Sequence, residues 1–180
     1  MAPRAQPEPL AADVVPSCTP RIAVRLATPH DLDAVMQLRL ALLREYPEHP
    51  IYGRLRSDVS RRARDLFAAQ LRAVGEAIFL ANEDDAAAGI LRCVESMGSP
   101  LLEPTRYAYV SSVYVRPESR RRGALRALLR AADAWSTARG LDQMRLHNVA
   151  GSASAEGAWT ALGFEIVEQV RVRQISPRPR

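Results

Sequence analysis

Val113-Tyr-Val-Arg-Pro-Glu-Ser-Arg-Arg-Arg-Gly-Ala-Leu-Arg-Ala-Leu-Leu129 is the stretch on which the reading of the fold turns. Its start continues the β-branched and aromatic run from Tyr107 to Val115, which predicts a strand. Pro117 and Gly123 then mark a turn, and from about Arg121 to Ala138 the pattern becomes helical. Leu125, Leu128, Leu129 and Ala132 fall on one face, with Arg126, Arg130 and Asp133 on the other. A strand that runs into a glycine turn and opens a helix makes an anion site. The first N–H groups of a helix have no intrahelical partner and lie at the positive end of its dipole. Gly123 lets a phosphate approach the backbone, and Arg120, Arg121 and Arg122 add charge, so a pyrophosphate suits the turn. Taken alone, the segment also reads as a surface arginine cluster ahead of an ordinary helix.

Working outward, the elements alternate. Arg21 to Leu26 is a short strand. Thr28-Pro-His-Asp31 carries a cap, a first-turn proline and an acidic residue, and so predicts a helix running to about Arg44. Pro47 and Pro50 enforce a loop before a second helix from about Ser57 to Val74. Strands at 77–81 and 87–95 flank Asn82-Glu-Asp-Asp85, a hairpin turn. After Gly140, Met144 to His147 is a short strand, Ser154 to Leu162 a short helix, and Phe164 to Ile175 a last strand. The order β-α-α-β-β-β-α-β-α-β predicts an α/β fold with a mixed sheet covered by helices.

Two further motifs give the turn a family context. Val115-x-Pro117-x-x-Arg120-Arg-Arg-Gly123 resembles the CoA-binding turn of the GNAT N-acetyltransferases. Trp159-Thr-Ala-Leu-Gly-Phe164 resembles their late signature ending in Leu-Gly-Phe, and Arg145-Leu-His-Asn148 falls where their splayed fifth strand belongs. The resemblance spans about Arg21 to Ile175. It implies a mixed, mostly antiparallel sheet flanked by helices on both faces. It also implies acetyl-CoA as co-substrate, an amine-bearing acceptor, and direct transfer through a ternary complex.

The resemblance also implies roles by position. The backbone from Arg121 through Arg122, Gly123 and Ala124 to Leu125 would hold the CoA pyrophosphate. Val113, Tyr114 and Val115 would run along the pantetheine arm, with a main-chain N–H near Val113 polarising the thioester carbonyl. Asn148 matches a position that contacts the CoA arm, and reads equally as a strand-ending turn residue. The sequence departs from the family in three places. Leu125 stands where a small residue is usual. Trp159 replaces a tyrosine that protonates the leaving thiolate, and an indole N–H cannot do this, so core packing is its expected role. Ser111 or Ser112 occupies the place of a glutamate base and could hold a water. The base is therefore sought between the first two helices, at Glu48, then Glu45 and His49, with Glu95 on a neighbouring strand. Tyr46, Pro47, Ile51 and Tyr52 would shape the acceptor pocket.

Composition sets the outer bounds. The 180 residues, 47% apolar and 25% charged, suit one soluble globular domain. It is expected at 20–176, with a disordered tail at 1–19 and a loose terminus at 177–180. No apolar run reaches the roughly 18 residues of a membrane span, and Met1 to Pro20 has no apolar signal core, so the cytoplasm is the expected compartment. Cys18 and Cys93 read as unrelated thiols. His30, His49 and His147 show no metal-ligand spacing, so no metal is expected. His147 itself reads as a packed or hydrogen-bonded residue. The net charge of +5 comes with arginine as the sole basic side chain besides histidine, since the sequence has no lysine. That excludes a Walker phosphate loop. Two other functions stay open: a non-catalytic acyl-CoA-binding domain, suggested by Trp159 and Ser111, and, with less support, a nucleic-acid-binding module. The acceptor and the oligomeric state, a homodimer included, are not legible from sequence.

Overall fold

Strand β2 (Glu76–Glu83) and strand β3 (Ala86–Met97) form the antiparallel hairpin at the centre of the molecule, with Glu83 opposite Ala86. The two loop residues, Asp84 and Asp85, have φ of 47° and 69°. Left-handed backbone at both loop positions is the twist that a tight hairpin requires, and aspartate tolerates it better than most residues. Along β2 the side chains alternate. Ile78 and Leu80 enter one core, while Ala77, Phe79 and Ala81 enter the other.

The computed structural model describes residues 22–175. The tails expected at 1–19 and 177–180, with Cys18, lie outside the described residues. Strand β1 (Ile22–Leu26) pairs with β2, and β3 pairs with β4 (Arg106–Val115), both antiparallel. Strand β5 (Met144–Leu146) joins β4 in parallel, giving the order β1-β2-β3-β4-β5. The sheet is thus mixed and mostly antiparallel. Helices α1 (Leu32–Arg44) and α2 (Val59–Gln70) cover one face, where Val35, Leu38 and Phe67 meet Ile78, Leu80, Ile90 and Tyr114. Helix α3 (Ala124–Thr137) covers the other, where Leu128, Leu129 and Ala132 meet Phe79, Leu91, Cys93 and Val110. Each large side chain buried this way contributes about 1.5–3 kcal/mol. Cys93 is a free, buried thiol, and burial pushes its pKa up. Helix α4 (Ala153–Ala161) follows β5.

Several boundaries move from their sequence positions. The first helix opens as a 3-10 turn over Pro29–Asp31, and Asp31 accepts from Thr28 N–H at 2.8 Å and from Arg25 at 2.7 Å. The second helix ends at Gln70, short of Val74, which is exposed, and Leu66 within the helix also faces solvent. The strand expected over Phe164 to Ile175 does not form. Phe164 packs on the α3 core, but Ile166, Val167, Val170, Val172 and Ile175 are exposed in irregular chain. Alternating apolar residues supply β propensity, but a strand also needs an edge to pair with. Among the described residues this segment joins no ladder with the three-residue β5 or any other strand.

Candidate functional site

Strands β4 and β5 pair only from Ala108 to Val110 against Met144 to Leu146. Beyond that they part, and a groove of about 970 Å³ opens, lined by Tyr109 to Val115 on one side and Leu146 to Val149 on the other. That volume is typical of a small-molecule site. Opposite the groove's middle, the β3–β4 register passes from Arg92–Ser111 to Ile90–Tyr114, skipping Ser112 and Val113. Ser112 has φ of 54°. The extra residue is a β-bulge, which disturbs the ladder locally and re-aims backbone groups. Ser111, Ser112 and Val113 all line the groove.

At one end lies the turn before α3. Arg121 and Gly123 have φ of 62° and 88°, and the first helical bond runs from Ala127 N–H to the Gly123 carbonyl at 3.0 Å. The N–H groups of Ala124, Leu125 and Arg126 precede that bond and have no intrahelical partner. Left-handed residues in such a turn aim successive N–H groups into one concavity suited to an anion. A built Cβ on Gly123 meets nothing within 4 Å, so this residue borders open space.

The three consecutive arginines do not form one basic surface. Arg120 lines the groove but is ion-paired with Glu45, donates to the Val115 carbonyl at 2.9 Å and lies over the Tyr114 ring. Arg122 turns the other way, to Glu83 at 2.6 Å in a separate cleft. Ser119 also donates to Glu83, and these two contacts hold the Glu83 carboxyl below its usual range. Arg121 lines the groove.

The far end of the groove is formed by Arg39, Leu42, Leu43, Tyr46, Tyr52 and Tyr109. Arg39, Leu42, Leu43 and Tyr46 follow the i, i+3, i+4, i+7 spacing that puts them on one face of α1 and its continuation. Tyr109 Oη and His147 Nδ1 are 3.2 Å apart, and burial raises the Tyr109 pKa. Arg92 pairs with Glu76 at 2.8 Å and donates to Ser111 Oγ at 3.2 Å.

Of the candidate bases, Glu45 and Ser111 line the groove, whereas Glu48, His49 and Glu95 do not. His49 Nδ1 instead accepts from the N–H groups of Ile51 and Tyr52 at 3.2 and 3.1 Å, fixing the loop. Glu95 pairs with Arg106. Asn148 lines the groove, and its amide faces the Val149 carbonyl at 3.4 Å. Trp159 is half-buried, lines the groove and packs edge-on against Phe164 at 5.4 Å, outside both main cores. Sequence reasoning passed over Arg39 and Tyr109; the α1 spacing carried a signal for the first, and nothing local did for the second. Among the described residues no group of three potential ligands could hold a metal, and no helix is long and apolar enough to cross a membrane.

The acetyltransferase (GNAT) family model matches residues 37–164. The chain belongs to the GNAT acetyltransferase family. The GNAT fold is shared with solved structures at low identity. A predicted acetyltransferase with acetyl-CoA from Clostridium acetobutylicum has 16% identity and a TM-score of 0.69, covering 85% of this chain and 96% of that one. The aminoglycoside N-acetyltransferase AAC(6')-Iy, in complex with a bisubstrate analogue, has 22% identity and a TM-score of 0.68, covering 87% and 99%. The aminoglycoside 6'-N-acetyltransferase AAC(6')-Ih from Acinetobacter baumannii has 17% identity and a TM-score of 0.69, covering 87% and 99%. No curated protein matches the sequence.

Proposed function

We propose that this GNAT protein is an N-acetyltransferase that moves the acetyl group of acetyl-CoA to a primary amine by direct attack in a ternary complex. The observation that carries the reading is one continuous groove with three parts in order: the Gly123 turn at the start of α3, the bulge at Ser112 and Val113, and the tyrosine-lined end. The pyrophosphate sits on the N–H groups from Arg121 to Leu125. The pantetheine arm lies between Val113 to Val115 and Asn148, which sets the thioester beside the bulge. There the Val113 N–H stabilises the oxyanion as the amine nitrogen bonds to the carbonyl carbon, a contribution of about 2–4 kcal/mol for one aligned donor.

The attacking amine must be neutral, so its proton leaves before or during attack. Glu45, a water held at Ser111, and the Tyr109–His147 pair are the groups within the groove for that step. The C–S bond then breaks and the CoA thiolate takes up a proton, with the Tyr109 hydroxyl rather than Trp159 as its source within this groove. Glu48 and His49 act at most through the loop that carries Tyr46 and Tyr52.

The test is acetyl-CoA turnover, corrected for hydrolysis, over a panel of amines, aminoglycosides and peptide N-termini. Intersecting initial-velocity patterns and an acetylated nitrogen are expected. Parallel patterns with a trapped acetyl-enzyme would overturn the ternary complex. CoA binding without transfer to any amine would leave a binding domain.

A further inference from the structure

We propose that Arg39 binds an anionic group on the acceptor, so that the substrate is an amine that also carries a carboxylate or phosphate. The inference rests on the acetyl-transfer reading above and deepens it.

Arg39 lies on the α1 face that forms the acceptor end of the groove. Its guanidinium stacks on Phe67, 4.1 Å from the ring centroid, and Nη1 donates to Gln70 at 2.6 Å. Both contacts hold the planar group in place. Neither neutralises it, and among the described residues no carboxylate pairs with it. A guanidinium has five N–H donors in a fixed fork, which match the two oxygens of an oxyacid. Burial, and secondarily the Arg92 charge, lowers its pKa to about 10, which leaves it cationic at neutral pH. A cation withdrawn from water without a counter-ion is unfavourable until an anion arrives.

The charges around it point the same way. Glu76, the acidic group nearest in influence, is committed to Arg92 at 2.8 Å. Among the described residues Glu45 is the one carboxylate that lines the groove, and it is ion-paired with Arg120. The acceptor end therefore presents a positive charge and phenols, with no uncommitted carboxylate. Such a surface repels a polycation and orients a small molecule whose anion docks on Arg39 while its amine reaches toward the bulge at Val113. The aminoglycoside enzymes named above share the fold, but a polycationic acceptor does not suit this pocket.

The experiment compares matched amines that differ only at the anion: amino acids of increasing chain length, their carboxamides, their decarboxylated amines and their phosphonate analogues, with aminoglycosides alongside. Full-length wild type, Arg39→Gln and Arg39→Lys are assayed for kcat/KM, and acetyl-CoA affinity is measured separately. Equilibrium titration of the same amines into CoA-saturated protein gives a readout independent of turnover. An anion-bearing amine is expected to exceed its carboxamide by about 10- to 100-fold in wild type, the range of a lost charge-assisted bond. Arg39→Gln should erase that preference while changing acetyl-CoA affinity less than about 2-fold, and Arg39→Lys should restore part of it. The carboxylate and phosphonate arms decide which oxyacid is bound. Equal use of acids and carboxamides, preference for aminoglycosides, or loss of acetyl-CoA affinity in a folded Arg39→Gln would overturn the proposal. Anion-dependent binding that vanishes in Arg39→Gln, without acetyl transfer, would uphold the subsite and remove the N-acetyltransferase reading. Neither binding nor transfer across the panel would overturn the subsite.

Discussion

Replacing Gly123 by alanine separates the phosphate-site assignment from ordinary backbone strain. Gly123 has φ of 88°, and a built Cβ meets nothing within 4 Å. No steric clash therefore adds to the folding cost, which reduces to holding an L-residue in the left-handed region, about 1–2 kcal/mol. For a domain of this size that lowers Tm by about 2–8 °C. Gly140, at the far end of α3, provides a matched control: its φ is 66° and its Cβ also meets nothing within 4 Å, but it does not line the groove. Gly140→Ala should lose comparable stability and bind CoA normally. On the proposed assignment, the added methyl at Gly123 stands where the pyrophosphate approaches the helix N–H groups. Losing one charge-assisted hydrogen bond there weakens CoA binding by about 1.5–3 kcal/mol, or roughly 10- to 150-fold in Kd. Gly123→Val should weaken it further. Titration calorimetry with CoA at a temperature where all variants are folded, beside thermal melts, gives both numbers. If Gly123→Ala and Gly140→Ala melt alike and both keep wild-type CoA affinity, the pyrophosphate does not sit on this turn.

Three further outcomes follow from the described contacts. Asp31→Asn should cost about 1 kcal/mol near neutral pH, because the carboxylate both closes the Thr28 turn and pairs with Arg25. The Arg25 hydrogen bond holds the Asp31 carboxyl well below its ordinary pKa. Its contribution is thus complete above the ordinary carboxylate range and fades as pH falls toward the folded value, so urea melts of the two proteins should converge in strong acid; a gap that widens there would contradict the assignment. Trp159→Phe should lose about 1 kcal/mol with its edge-on contact to Phe164 and retain turnover within about 10-fold, since its role is to pack; a fall of several orders of magnitude in the folded variant would refute that. Tyr109→Phe should lower kcat by about 100-fold or more and leave acetyl-CoA affinity unchanged, because the hydroxyl it removes is the one that faces His147; unchanged kcat would move proton transfer elsewhere.

What the sequence determined by itself is local in origin. The strand–Gly123–helix turn, the aspartate hairpin between β2 and β3, the proline-led start of the first helix and the alternating sheet strands are all written in periodicity and turn chemistry over a few residues. The same short range explains the failure at Phe164 to Ile175, where the β pattern is present but no strand edge receives it. Tertiary structure alone decided how the charged residues are used. Arg120 and Glu45 are 75 positions apart, Arg122 and Glu83 are 39 apart, and these pairings split one arginine run between two clefts. Tyr109 and His147, 38 apart, meet only because β5 lies beside β4 before the strands part. Arg39 is one arginine among 25 in the sequence. Only the packed chain distinguishes it, by committing Glu76 and Glu45 to other arginines and leaving Arg39 in the lining of the groove with no ion-pair partner among the described residues. Charge is a property of composition, but whether a charge is neutralised depends on distances of a few ångströms between segments that the fold brings together.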